Sequence, residues 1–125
     1  MTVTQVAMYA LVRLLVITCT RQRALLSFRS VRAQPSRAPE LAALLRAIRH
    51  HALSDAEPGC TGYRIVASAA GDDDGEFVCI EEYTDEAAVA AHAAQNPGVQ
   101  KLVAALQTGH VFLGAPTILG PLRDI

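Results

Sequence analysis

The segment running from residue 61 to residue 83 constrains this chain more than any other. "TGYRIVASAA" (61–70) and "EFVCIEEY" (76–83) both alternate with the period of a strand, and "GDDDG" (71–75) joins them. Asp and Gly tolerate the backbone angles of a tight reversal, so the segment predicts an antiparallel hairpin. The alternation puts Tyr63, Ile65 and Ala67 on one face of the first strand and Arg64, Val66 and Ser68 on the other. In the second strand, Phe77, Cys79, Glu81 and Tyr83 share one face, and Val78, Ile80 and Glu82 share the other. Both faces are apolar near their middle, so both are expected to be covered.

Elements of two kinds flank this hairpin. "ALLSFRSVRA" (24–33) reads as a strand, ended by Pro35 and Pro39. From Glu40 onward, Leu41, Leu44, Leu45 and Ile48 fall on one helical stripe. Pro39 and Glu40 suit the start of that helix, because a first-turn proline lacks only an amide that would be unpaired anyway, and an acid favours the positive end. "EPGC" (57–60) reads as a turn. Asp85 is a good N-cap for a short helix to about Ala94. "NPG" then interrupts, Val99, Leu102, Val103 and Leu106 recur at helical spacing, and the Gly- and Pro-broken tail 110–125 suits a last strand and arm. The order is β-α-β-β-α-β, an α+β ferredoxin-like plait with an antiparallel sheet. Helices on one face leave the other face bare, and a homodimer closing sheet on sheet is the economical way to cover it.

At 125 residues the chain has room for one domain, placed at 24–125, with an apolar extension at 1–23. Its 51% apolar and 18% charged composition favours folding over disorder. A net charge of −1 and no aromatic–basic interleaving give no reason to expect nucleic acid. Cys19, Cys60 and Cys79 form no CxxC, and an odd count argues against a disulfide framework, so reduced thiols and a cytoplasmic location are expected. The stretch "QVAMYALVRLLVIT" is interrupted by Arg13 and is short of the ~20 residues a membrane span needs. No membrane association is expected. HExxH, GxGxxG and Walker patterns are absent, so neither a metal nor a dinucleotide is expected.

"EPGCTGYRI", a short acidic loop and "FVCIEEYTDEAAVAAH" together resemble the antibiotic biosynthesis monooxygenase (ABM) family over residues 24–122. That resemblance implies a dimeric α+β barrel. It also implies oxidation of an aromatic polyketide-like substrate, an anthrone or hydroquinone, by molecular oxygen without metal or flavin. In anthrone-oxidising members an Asn, a Trp, a Tyr and an Arg matter. Aligned without gaps from "EFVCIEEY" onward, those positions fall on Cys79, Tyr83, Val89 and Val103, so only Tyr83 keeps an aromatic with a polar tip. Haem-degrading relatives use a Trp, which this chain lacks altogether.

His92, Tyr83 and Glu81 are therefore the expected catalytic set. His92 lies one turn beyond Ala88 and Val89 and would take a proton. Tyr83 would hold a substrate oxygen, and Glu81 would orient His92. Cys79, Val89, Val103, His51 and Tyr63 are the expected substrate-binding residues. A structural reading competes at each position: a helix-face histidine with a satisfied hydrogen bond, a core tyrosine, a glutamate paired with an arginine, and a small buried thiol. Competing functions are a non-oxidative cyclase or isomerase, and a ligand-binding accessory subunit.

Overall fold

A computed structural model describes residues 24–68 and 75–123. The expected extension at 1–23 and most of the acidic hairpin loop lie outside these residues. The elements are β1 (Leu25–Arg32), α1 (Ala38–Ala52), β2 (Cys60–Ala67), β3 (Glu76–Tyr83), α2 (Glu86–Gln95), α3 (Pro97–Thr108) and β4 (Thr117–Arg123). The sheet order is β2-β3-β1-β4 and every neighbouring pair is antiparallel, which is the ferredoxin-like plait. Among the described residues no helix is long and apolar enough to cross a membrane.

The helix starts follow the residues that permit them. Pro39 sits in the first turn of α1 beside Glu40, and Leu41, Leu45, Ile48 and Ala52 form its buried stripe. Asp85 caps α2 by accepting the Ala88 amide at 2.8 Å. Asn96 caps α3 by accepting the Gly98 and Val99 amides at 2.9 and 3.3 Å, and Gly109 ends it at φ 71°. The "NPG" interruption thus splits the second helical segment in two.

The helices cover one face of the sheet. Leu25, Ser27 and Val31 of β1, Tyr63 of β2, and Phe77, Cys79, Glu81 and Tyr83 of β3 are buried there. Phe77, Cys79 and Tyr63 join Leu41, Leu45, Ile48, Val99 and Leu102 from the helices, with Val111 and Phe112 from the segment before β4. The opposite face carries Leu26, Phe28, Val66, Val78 and Ile80. Register places Phe28 beside both Ile80 and Leu119, and Leu26 beside Leu122. β4 is exposed along its whole length, with Ile118 and Leu119 at 58% and 59%.

Two glycines fix how closely the layers approach. A Cβ on Gly59 would lie 2.4 Å from the Ala88 Cβ, so α2 rests directly on the turn before β2. One on Gly98 would lie 2.7 Å from Ile48 Cγ1, so the start of α3 is pressed against α1. These contacts bring the ends of α1, α2 and the β2 turn to one place.

Candidate active site

That place is occupied by a carboxylate. Glu57, in the turn between α1 and β2, is buried with its two oxygens divided among three side chains. Oε1 meets His92 Nδ1 at 2.6 Å. Oε2 meets His51 Nδ1 at 2.5 Å and accepts from Asn96 Nδ2 at 2.7 Å. A carboxylate only accepts, so both imidazoles present their Nδ1–H to it. Asn96 also donates to the Ile48 carbonyl at 3.1 Å, so one amide joins the α3 cap, α1 and Glu57. Burial alone would raise the Glu57 carboxyl. Hydrogen bonds from His51, His92 and Asn96, with the charge of His92, outweigh it and hold the group below its ordinary value.

With Nδ1 committed to Glu57, the opposite nitrogen of His92 is left for other work. Nε2 is buried without a hydrogen-bond partner among the described residues. It stands 3.6 Å from Glu81 Oε1, beyond hydrogen-bond length. The ring is flanked by Tyr63 and Tyr83, with centroids 5.8 and 5.5 Å away. His92 and Glu81 are each 2% exposed.

Glu81 lies on the helix-covered face of β3, as the alternation of "EFVCIEEY" dictates. Its Oε1 accepts the Tyr83 hydroxyl at 2.5 Å, and its Oε2 has no partner. The Tyr63 hydroxyl is likewise without a hydrogen bond of good geometry, although the Cys79 thiol is near enough to perturb it. Arg29 Nε is the fourth such atom. Register sets Glu81 opposite Ser27 and Tyr63, and Cys79 opposite Arg29 and Ile65, so these groups occupy adjoining rows of one sheet face. Buried polar atoms are nearly always paired. Three unpaired ones on neighbouring rows of the sheet, with His92 Nε2 above them on α2, mark a place built for something polar.

The protonation states follow from the surroundings. Burial and then the negative charge of Glu81 push both tyrosine hydroxyls well above their ordinary range, and Tyr83 is raised further by its bond to Glu81. Both phenols therefore stay protonated and act as donors. Burial lifts the Cys79 thiol to about 11, and also raises Cys60, so neither sulfur is a thiolate near neutrality. Among the described residues no group of three or more His, Cys, Asp or Glu side chains is placed to hold a metal ion.

The expected residues fare unequally. His92 gathers Glu81, Tyr63 and Tyr83 around its ring, His51 joins it through their shared bond to Glu57, and Cys79 lies fully buried in the next row. Val89 is half-buried on α2, and Val103 is 45% exposed on α3. Glu81 was expected to orient His92; Glu57 holds the ring instead, because it reaches Nδ1 while Glu81 stands off Nε2. Sequence reading missed Glu57, Asn96 and Arg29. "EPGC" looks like any turn, and only burial of its acid distinguishes it. Asn96 carried a visible signal in "NPG", that of a helix cap, but no sign of its bond to Glu57.

Comparison with known proteins agrees with the fold. Residues 27–105 match the family model described as "Antibiotic biosynthesis monooxygenase". Rv0793 from Mycobacterium tuberculosis is similar at 29% identity and a TM-score of 0.62, covering 81% of this chain and 97% of that one. PA3566 from Pseudomonas aeruginosa is 23% identical, with a TM-score of 0.67 over 84% of this chain and 97% of its own, a likeness of fold. No curated protein is a match to this chain. With a family model matched over more than half its length, the chain belongs to the antibiotic biosynthesis monooxygenase family.

Proposed function

We propose that this protein is a cofactor-independent monooxygenase that oxidises an electron-rich aromatic polyketide-like substrate, an anthrone or hydroquinone, with molecular oxygen in secondary-metabolite biosynthesis. The observation that carries this reading is the Glu57–His92 pair, 2.6 Å apart, with His92 Nε2 left unengaged. A carboxylate on Nδ1 fixes the tautomer, leaves the Nε2 lone pair free to take a proton, and stabilises the imidazolium that results.

In the proposed reaction His92 Nε2 removes the acidic C–H proton of an anthrone. The Tyr63 hydroxyl donates to the developing substrate oxyanion, and half-buried Arg29, with its Nε enclosed, adds positive charge beside it. The carbanion gives its electrons to oxygen and a carbon–oxygen bond forms, leaving a peroxide that takes the proton back from His92. The hydroperoxide then loses water as its O–O bond breaks, and the ring carbon becomes a carbonyl. One oxygen atom ends in product and one in water, and the substrate supplies the electrons. Glu81, held by Tyr83, faces the imidazolium and balances its charge.

Oxygen uptake tests this directly. Dithranol or a naphthohydroquinone, with chelator and without flavin, is consumed faster than in buffer, and His92→Ala returns the rate to the spontaneous one. Uptake equal to buffer across both substrate types overturns the reading. A second reading, a cyclase or isomerase, is favoured by two acid–base groups, His92 and Glu81, standing 3.6 Å apart. It predicts product under argon.

The protein acts as a homodimer in this reading. The bare sheet face bearing Phe28, Val78 and Ile80, continued by exposed Leu119 and Leu122, is what a second copy would cover.

A further inference from the structure

A cavity of about 570 Å³ lies between α1 and the edge strand β2, and none of the Glu57 cluster lines it. Its floor is apolar: Ala42 from α1, Ile65 and Ala67 from β2, and Phe77 from β3. Arg46 and Arg49 lie on its wall. The acid in the first turn of α1, Glu40, is engaged by Arg37 at 2.8 Å. Among the described residues neither the Arg46 nor the Arg49 side chain has an ion-pair or hydrogen-bond partner. The two positions are three apart on the helix and so lie on neighbouring parts of one face.

The size is that of a small-molecule pocket, which generally spans ~300–1,000 Å³ with few polar groups on an apolar lining. From Ala38 to Arg49 the helical wall runs about 16 Å, at 1.5 Å per residue. Ser36 and Pro39 close the end away from the arginines. The lining is therefore asymmetric along its length, with two arginines at one end, an apolar floor between, and the single hydroxyl of Ser36 at the other end. Guanidinium forks match carboxylate, sulfonate and phosphate oxygens, and the two arginines together supply more donors than a single such group can use.

We propose that this cavity binds an amphipathic organic anion, with its charged head on Arg46 and Arg49 and its apolar body against Ile65 and Phe77. The site is separate from the acid–base cluster and does not depend on what that cluster does.

The probe for the test is 8-anilinonaphthalene-1-sulfonate, compared with its uncharged relative N-phenyl-1-naphthylamine by fluorescence titration of the full chain. The sulfonate binds saturably at one site per chain. The double variant Arg46→Ala/Arg49→Ala weakens it at least tenfold while changing the uncharged probe less than twofold. Ala42→Trp fills the floor and removes both. Because a tryptophan there could unseat α1, Arg46→Glu/Arg49→Glu serves as the second variant and removes sulfonate binding with the circular dichroism melt retained. Displacement by 2-naphthoate or by laurate distinguishes an aryl from an acyl body. The proposal is overturned if the sulfonate binds the double alanine variant as tightly as the wild type, or if neither carboxylate displaces it.

Discussion

The Nδ1 nitrogen of His92 on α2 donates to Glu57 Oε1 in the turn before β2, at 2.6 Å across 35 positions of sequence. The relationship joins a helix to a loop through two buried side chains, and it leaves the imidazole with a single free nitrogen. Removing either partner therefore acts on both the placement of α2 and its chemistry.

Replacing Glu57 separates those two effects. Glu57→Gln retains a side-chain oxygen for one imidazole but no longer stabilises an imidazolium. We expect oxygen uptake to fall by about 10²–10⁴-fold, the usual worth of a positioned general base, with the fold retained. Glu57→Ala leaves His51, His92 and Asn96 without their acceptor in the interior. Its cost in stability is about 2–5 kcal/mol, measured by urea denaturation. Equal stability of the alanine variant and the wild type would refute the role given to this carboxylate.

The same group makes stability depend on acid. Its folded pKa lies below the ordinary 4.5, so its contribution is fully present above that value. As pH falls through the depressed folded value, the proton is taken up and the contribution is lost. Urea midpoints measured from pH 6 downward should drop more steeply in the wild type than in Glu57→Gln. Parallel curves would remove Glu57 from the account of acid sensitivity.

Gly59 offers a steric test. A methyl there meets the Ala88 Cβ at 2.4 Å, so Gly59→Ala forces α2 off the turn and costs about 1–3 kcal/mol. Gly59→Ala combined with Ala88→Gly should recover part of that loss in a double-mutant cycle. Additive losses would show that the contact is not what seats the helix.

The bare sheet face predicts assembly. Analytical ultracentrifugation of the wild type should show a dimer, and Phe28→Asp with Ile80→Asp should give a folded monomer. A wild type that sediments as a monomer at tens of micromolar sinks the proposed sheet-to-sheet interface.

Much of the fold was legible because it rests on local rules. Strand alternation placed Phe77, Cys79, Glu81 and Tyr83 on one face, and all four are buried. Asp85 caps the helix that its position before "EAAV" suggested, whereas Asn96, read only as part of an interruption, turns out to cap the next one. The centre of the candidate site was less legible. Nothing local to "EPGC" says that its acid is buried, because the groups that bury it come from α1 and from the two helices 35 and 39 positions later. Arg29 was hidden for a similar reason, since a strand's alternation gives its face but not which rows lie beside it. Val103 shows the opposite failure. Helical spacing placed it with Val99 and Leu102, yet its side chain lies at the edge of that stripe and is exposed.

His92 is the one side chain that α2 buries; the rest of that helix is largely alanine. Most helices are held by hydrocarbon and can exchange their polar residues without losing their seat. Here the seat and the reagent are the same residue. A variant that discards the imidazole discards the anchor of the helix as well, so folded but inactive descendants of this protein should be hard to reach through that position. Changes of substrate would be expected to come from its neighbours instead.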